Sequence, residues 1–261
     1  MNILDFTRKK QLGKKITMLT CYDYSSAQLI EQSNADCILV GDSAAMVMHG
    51  YPSTTHATMG MMTMHIAAVA KGSKSKFIIG DLPFLSYRTS LSETMHNVKS
   101  LMQAGAHAVK LEGGDGNYET ISHIVQSGVP VMGHLGLTPQ AIHQLGGHKV
   151  QGKSADTADK IKRQALALEK AGCFAVVLEC VPTQLAAEIT QQLNIATIGI
   201  GAGEKTNGQV LVWQDMLGLQ MELKPKFLKH FATLQPTVID AINNYVDEVN
   251  SVQYPSPEYA Y

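Results

Sequence analysis

Apolar positions in this chain gather into short uninterrupted runs, and six of those runs end on a polar or glycine-rich signature. Five deliver a polar or ionisable group: Cys37-Ile38-Leu39-Val40-Gly41-Asp42-Ser43, Phe77-Ile78-Ile79-Gly80-Asp81, Ala108-Val109-Lys110-Leu111-Glu112, Val131-Met132-Gly133-His134 and Phe174-Ala175-Val176-Val177-Leu178-Glu179. The sixth, Ala196-Thr197-Ile198-Gly199-Ile200-Gly201-Ala202-Gly203, closes on glycines. Runs without polar alternation are the mark of strands covered on both faces, as in a parallel sheet wrapped by helices. Ile16 to Tyr22 supplies a first strand, and a weaker last one falls around Val210 to Trp213.

Helical patterns fill the gaps: Ser25 to Ser33, Thr58 to Lys71, Leu91 to Ala104, Tyr118 to Ser127, Thr157 to Ala171 and Thr183 to Leu193. Gly105, Gly128 and Gly172 stand where glycine stops a helix, and Ser90 with Glu93 three residues on resembles a capping box. Strand and helix therefore alternate about eight times, the spacing of a (β/α)8 barrel. No Pro/Ser linker divides the chain, so residues 1–261 are read as one barrel domain with a helical extension (Pro225 to Val249) and an extended tail from Ser251. An open dinucleotide-binding sheet would want a G-x-G-x-x-G turn in its first βα unit, and none is there. Ligands of parallel barrels bind beyond the carboxyl ends of the strands, where the polar signatures gather, so an enzyme is the leading expectation.

Composition narrows the picture without redirecting it. A 45% hydrophobic and 16% charged chain of 261 residues can fill one large core. A formal net charge of −1 leaves no electrostatic footprint for nucleic acid. Arg8-Lys9-Lys10 with Lys14-Lys15 reads as a solvated start to the chain. No run approaches the roughly 18 to 20 apolar residues that span a bilayer, and the polar N-terminus lacks a secretory apolar segment. Cys21, Cys37, Cys173 and Cys180 form no CxxC pair and read as buried free thiols, which points to a soluble cytoplasmic protein.

Asp42 and Asp81 each follow a glycine at a strand end. Two carboxylates in matched places suit a hard divalent cation such as Mg²⁺, although either alone would serve as a loop or helix cap. Lys110 and Glu112 share one face of a strand and fit an anion contact and metal support, or else a plain ion pair. Glu179, an isolated carboxylate after three apolar residues, would be partly desolvated and a better base, unless it pairs with a helix end. His134, in Gly133-His134-Leu135-Gly136-Leu137-Thr138-Pro139-Gln140, suits hydrogen bonding or proton shuttling, or a structural role. Met46, Met48, Met59, Met61, Met62 and Met64, with His49, His56 and His65 scattered among them, read as adaptable packing or a subunit contact.

In order, these segments closely resemble the ketopantoate hydroxymethyltransferase family. The likeness runs from Thr20-Cys21-Tyr22-Asp23-Tyr24 through Val40-Gly41-Asp42-Ser43, Gly80-Asp81-Leu82-Pro83-Phe84 and Val109-Lys110-Leu111-Glu112-Gly113-Gly114. It continues in the His134 segment, Lys149-Val150-Gln151-Gly152, Leu178-Glu179-Cys180-Val181-Pro182 and Gly199-Ile200-Gly201-Ala202-Gly203, and so spans nearly the whole chain. The resemblance implies a barrel of the phosphoenolpyruvate/pyruvate type, usually a homodecamer, in pantothenate biosynthesis. Its reaction joins 5,10-methylenetetrahydrofolate, 3-methyl-2-oxobutanoate and water to give 2-dehydropantoate and tetrahydrofolate. It also implies Asp42 and Asp81 as Mg²⁺ ligands with Glu112 completing or supporting the site, and Glu179 as the proton-transfer residue. Ser43 and Lys110 are implied as keto-acid contacts and His134 as an active-site histidine. Departures lie at Ser53 to Met62, which lacks the family's acidic residues, at Gln214-Asp215 in place of His-Asp, and at Asn207 in place of Asp. They bear on folate contacts and subunit packing. Alternative expectations are a sister Mg²⁺-dependent carbon–carbon lyase and a non-catalytic keto-acid-binding barrel.

Overall fold

The apolar runs become parallel strands: β1 (Ile16–Thr20), β2 (Cys37–Val40), β3 (Phe77–Asp81), β4 (Ala108–Lys110), β5 (Val131–Gly136), β6 (Ala175–Glu179), β7 (Ala196–Ile200) and β8 (Gly208–Leu211). Each pairs with the next, and β1 pairs with β8 with Ile16 opposite Gly208, which closes the barrel. The computed structural model describes residues 1–220 and 225–261, which form two units, Met1–Leu211 and Val212–Tyr261. The last strand lies two residues earlier than the apolar pattern places it. Gly208 fits there because any Cβ would collide with the Ile16 carbonyl of β1, and Trp213 already begins a helix.

Residue parity decides what fills the barrel. Cys37 and Leu39, Phe77 and Ile79, Ala175 and Val177, and Ala196 and Ile198 join Met18, Ala108, Met132 and Val210 in one buried cluster. They are alternate residues of their strands, so the remaining residues, such as Ile38, Ile78, Val109 and Val176, are buried beneath the helices. Continuing the interior parity past the core places Asp81, Lys110, His134 and Glu179 on the inner face at the carboxyl end. The apolar interior thus gives way to ionisable groups within a single layer.

The opposite end is closed by a segment expected to be solvated. Residues Ile3–Gln11 form a helix capped by Asn2 and Asp5, and its Phe6 is fully buried. The Phe6 ring meets those of Phe174 and Phe77 edge-on at 5.0 and 5.9 Å. Its basic cluster is a clamp: Lys10 Nζ donates to the Thr190 and Ile195 carbonyls at 2.7 and 3.0 Å, Lys9 pairs with Asp36, and Lys15 donates to the Glu204 carbonyl at 2.7 Å. One fully buried ring, a partly buried Ile3 and an exposed Leu4 leave too weak a periodicity to read.

Outer helices lie close to their expected bounds. Leu91–Ala104 begins with the Ser90 hydroxyl accepting from the Glu93 N–H at 3.1 Å and ends on left-handed Gly105. Only the Ser90 half of the expected capping box is made. In the second unit the expected helical extension begins at Leu234 and runs to Asn250. Tyr254 of the tail packs on Tyr245 and Tyr259 with ring centroids 5.8 and 5.9 Å away, so that part of the tail folds back rather than extending. Among the described residues, no helix is long and apolar enough to cross a membrane.

Candidate active site

Asp42 and Asp81 meet at the carboxyl end of β2 and β3. The turn after β2 needs Gly41, since a Cβ there would lie 2.8 Å from Ser43 Oγ and 3.5 Å from Asp81 Oδ2. With that space open, the Asp42 backbone N–H donates to Asp81 Oδ2 at 3.1 Å, and the Ser43 hydroxyl sits 2.7 Å from the Tyr22 hydroxyl. Asp81 Oδ1 lies 3.1 Å from Lys110 Nζ but is buried without an aligned hydrogen bond. Asp42, Asp81, Lys110, Glu112 and His134 are all at most 4% exposed.

From Asp81 the ionisable groups continue around the mouth as one line. Lys110 Nζ stands 3.3 Å from His134 Nδ1, which is 3.4 Å from Glu112 Oε1. On the far side of the ring, His134 Nε2 is 3.1 Å from Glu179 Oε2. Glu179 is therefore not the isolated carboxylate expected: it has an imidazole partner and keeps some solvent contact. Gly136 makes room for it. Its φ of +92 is open to glycine, and a Cβ there would overlap the Glu179 carbonyl.

Charge accumulates in this layer. Burial, then the Asp81 and Glu112 charges, raise the Asp42 carboxyl well above the usual aspartate range, against Lys110 and a Gln140 hydrogen bond. Burial alone would lower Lys110, but Asp81, Glu112 and Asp42 raise it, so it is an ammonium ion. Burial and Lys110 push His134 down, while Glu112 and Glu179 outweigh them and hold it at about 9. Glu112 shifts the other way: burial opposes ionisation, and His134, Lys110 and the Gln140 N–H lower it.

Three further residues, unmarked by the sequence reading, hold this arrangement. Gln140 Nε2 donates to Asp42 Oδ2 at 2.7 Å, and its backbone N–H donates to Glu112 Oε2 at 3.0 Å. The Tyr87 hydroxyl reaches Gln140 Oε1 at 2.8 Å, and Asn117 Nδ2 donates to the Glu112 carbonyl at 2.9 Å. Gln140 stands in the quoted Thr138-Pro139-Gln140 motif, but nothing local announces a bond to a residue 98 positions away.

Among the described residues, no three His, Cys, Asp or Glu side chains converge as a ready metal cage. Mg²⁺ asks for less, commonly one or two carboxylates with water and substrate oxygens. Asp42 and Asp81 meet that donor requirement: Asp81 Oδ1 makes no aligned hydrogen bond although the Lys110 ammonium lies 3.1 Å away, and the carboxylate-rich layer suits a cation. Glu112 has both oxygens facing protein partners.

A closed parallel barrel that gathers acids, an ammonium and an imidazole at its carboxyl end has the make-up of an enzyme. A family model described as ketopantoate hydroxymethyltransferase matches residues 1–257. The 3-methyl-2-oxobutanoate hydroxymethyltransferase of Legionella pneumophila (strain Lens) is 56% identical over 262 residues, covering 100% of both chains. That of Coxiella burnetii (strain Dugway 5J108-111) is 55% identical over 99% of this chain and 97% of its own. The chain belongs to the ketopantoate hydroxymethyltransferase family, and its reaction is hydroxymethyl transfer. Fold likeness reaches further. Phosphonopyruvate hydrolase in complex with oxalate and Mg²⁺ has a TM-score of 0.64 at 12% identity, over 99% of this chain and 93% of that one. For 2,3-dimethylmalate lyase, a PEP mutase/isocitrate lyase superfamily member, the values are 0.61 and 14%, over 98% and 92%.

Proposed function

We propose that the site takes 3-methyl-2-oxobutanoate, removes its C3 proton with Glu179, and adds the resulting enolate to the one-carbon unit of 5,10-methylenetetrahydrofolate. Both carbon–nitrogen bonds of the methylene unit break, water supplies its hydroxyl group, and the C3 proton and the other water proton end on the two folate nitrogens, giving 2-dehydropantoate and tetrahydrofolate. The observation that carries this reading is the close succession of Asp81, Lys110, His134 and Glu179 on four neighbouring strands, with approaches of 3.1, 3.3 and 3.1 Å. On this reading Lys110 is the anion-binding end of that row and Glu179 its basic end.

Lys110 is the partner for the keto acid's carboxylate, and Ser43, fixed by Tyr22, is a second polar contact. His134 Nε2 lies 3.1 Å from Glu179 Oε2, close enough for the imidazole to steady the carboxylate before proton removal. Asp42 and Asp81 would hold Mg²⁺, with Glu112 as outer support through His134 and Gln140. Bound there, the metal supplies Lewis-acid stabilisation of the charge that develops on the keto oxygen. The apolar barrel beneath keeps water from the proton-transfer layer. Ile239, Ile242 and Tyr245, all exposed on helix Leu234–Asn250, support assembly of several copies, with the decamer as the proposed size. Cytoplasmic residence agrees with the four free cysteines.

Proton NMR of the keto acid in D₂O with enzyme and Mg²⁺ tests the reading. Loss of the C3 proton signal, followed by 2-dehydropantoate when methylenetetrahydrofolate is added, is expected. Glu179→Gln should slow the exchange by about 10² to 10⁴-fold while keto-acid affinity is retained. Unchanged exchange in that variant, or lost affinity with unchanged chemistry, would remove Glu179 as the base.

A further inference from the structure

Buried 98 residues away from Asp42 along the chain, Gln140 is tied to more of the site than any single ionisable group suggests. Its amide nitrogen donates to Asp42 Oδ2 at 2.7 Å and to the Leu82 carbonyl at 3.0 Å. Its amide oxygen faces the Tyr87 hydroxyl at 2.8 Å, and its backbone N–H holds Glu112 Oε2. Reversing the amide would set its oxygen against a carboxylate and a carbonyl, so only one orientation satisfies every partner. Leu82 directly follows Asp81, and Asp81 Oδ2 accepts from the Asp42 N–H. The amide therefore pins the Asp42 carboxylate to the segment that carries the other aspartate.

We infer that Gln140 is the positioning residue that fixes the Asp42 carboxylate for a divalent cation, with Tyr87 holding Gln140 in turn. The inference rests on the magnesium reading above. The chemistry explains why an amide stands here. A lysine or arginine at this place would orient Asp42 but also neutralise it and repel the cation. A neutral donor orients without competing for the charge. Holding Oδ2 fixes the rotation of the whole carboxylate, and with it the place of Oδ1. The same residue, through its backbone N–H, also engages Glu112 Oε2 in a hydrogen bond at 3.0 Å.

The test is binding of Mn²⁺, as an electron-paramagnetic-resonance probe for the metal, to full-length parent, Gln140→Met, Tyr87→Phe and the double variant. Gln140→Met should raise the Mn²⁺ dissociation constant by about 10- to 100-fold, the usual range for loss of a ligand's hydrogen-bond partner. Tyr87→Phe should raise it less, and the double variant should lose less than the product of the two single effects. Circular dichroism and metal-free unfolding show whether each variant is folded. If Gln140→Met does not fold, Tyr87→Phe carries the test, and unchanged affinity in it overturns the inference. Parent and folded Gln140→Met binding Mn²⁺ equally well would overturn the role of Gln140 while leaving the metal reading intact. A folded parent that binds no Mn²⁺, with or without keto acid, would overturn both.

Discussion

Raising the pH of metal-free protein from about 6.5 to about 8.5 draws away the proton that His134 holds between Glu112 and Glu179. The folded imidazole titrates at about 9, against about 6.5 in an unfolded chain. A group raised on folding stabilises fully below its unfolded value and loses that contribution as pH climbs through the folded one. These two values give about 3 kcal/mol from His134 at pH 6.5 and about 1 kcal/mol at pH 8.5, a loss of about 2 kcal/mol. Asp42 is also raised and changes stability in the same direction, so the number is read as a difference between parent and His134→Gln. The Cys21 and Cys180 thiols, pushed up to about 11 by burial, add their own loss at higher pH and set the upper limit of the window. The assay is urea unfolding in chelator, followed by far-UV circular dichroism at three pH values, with the slope m checked for constancy. Parent stability should fall by about 2 kcal/mol more than that of His134→Gln across the window. Equal falls in the two proteins would mean that His134 is not the proton holder, and the electrostatic account of the mouth would fail with it.

Phe6→Ala should destabilise the barrel by about 3–5 kcal/mol in urea unfolding while keto-acid proton exchange by folded protein is unchanged. A cost under about 1 kcal/mol would show that the floor does not depend on the ring. Gly136→Ala forces a side chain onto the Glu179 carbonyl and should slow C3 proton exchange by about 100-fold, with keto-acid binding less affected. An exchange rate matching the parent's would show that the backbone at Gly136 does not govern where Glu179 stands.

Most of the barrel was readable because strands covered on both faces must be apolar throughout, and the helices between them are stopped by glycines. Leu91–Ala104 falls on its expected bounds for that reason. The misses occur where a long-range requirement outweighs local pattern. Phe6 is the one buried residue on its helix, and its partners come from Phe77 and Phe174. β8 begins at a glycine because backbone closure against Ile16 matters there more than side-chain burial. In the site, Asp42, Asp81, Lys110, Glu112, His134 and Glu179 announced themselves as charge or imidazole at the ends of apolar runs. Gln140, Tyr87 and Asn117 did not, since a neutral side chain is unremarkable until its partner is known. The pairing of Glu179 with His134 was equally hidden: β5 and β6 must lie side by side before the two can meet.

Closure of β1 on β8 has a consequence for how the chain is made. Ile16 leaves the ribosome roughly 190 residues ahead of its register partner Gly208. At typical elongation rates of about 5 to 20 residues per second, β1 stays an open sheet edge for roughly 10 to 40 s. An open edge invites pairing with other nascent chains, and positive charge beside it is a common protection. Lys14 and Lys15 immediately precede Ile16, and Lys15 ends up bonded to the Glu204 carbonyl just before the arriving strand. The basic start of the chain would thus guard the edge during synthesis and fasten the seam once the barrel shuts.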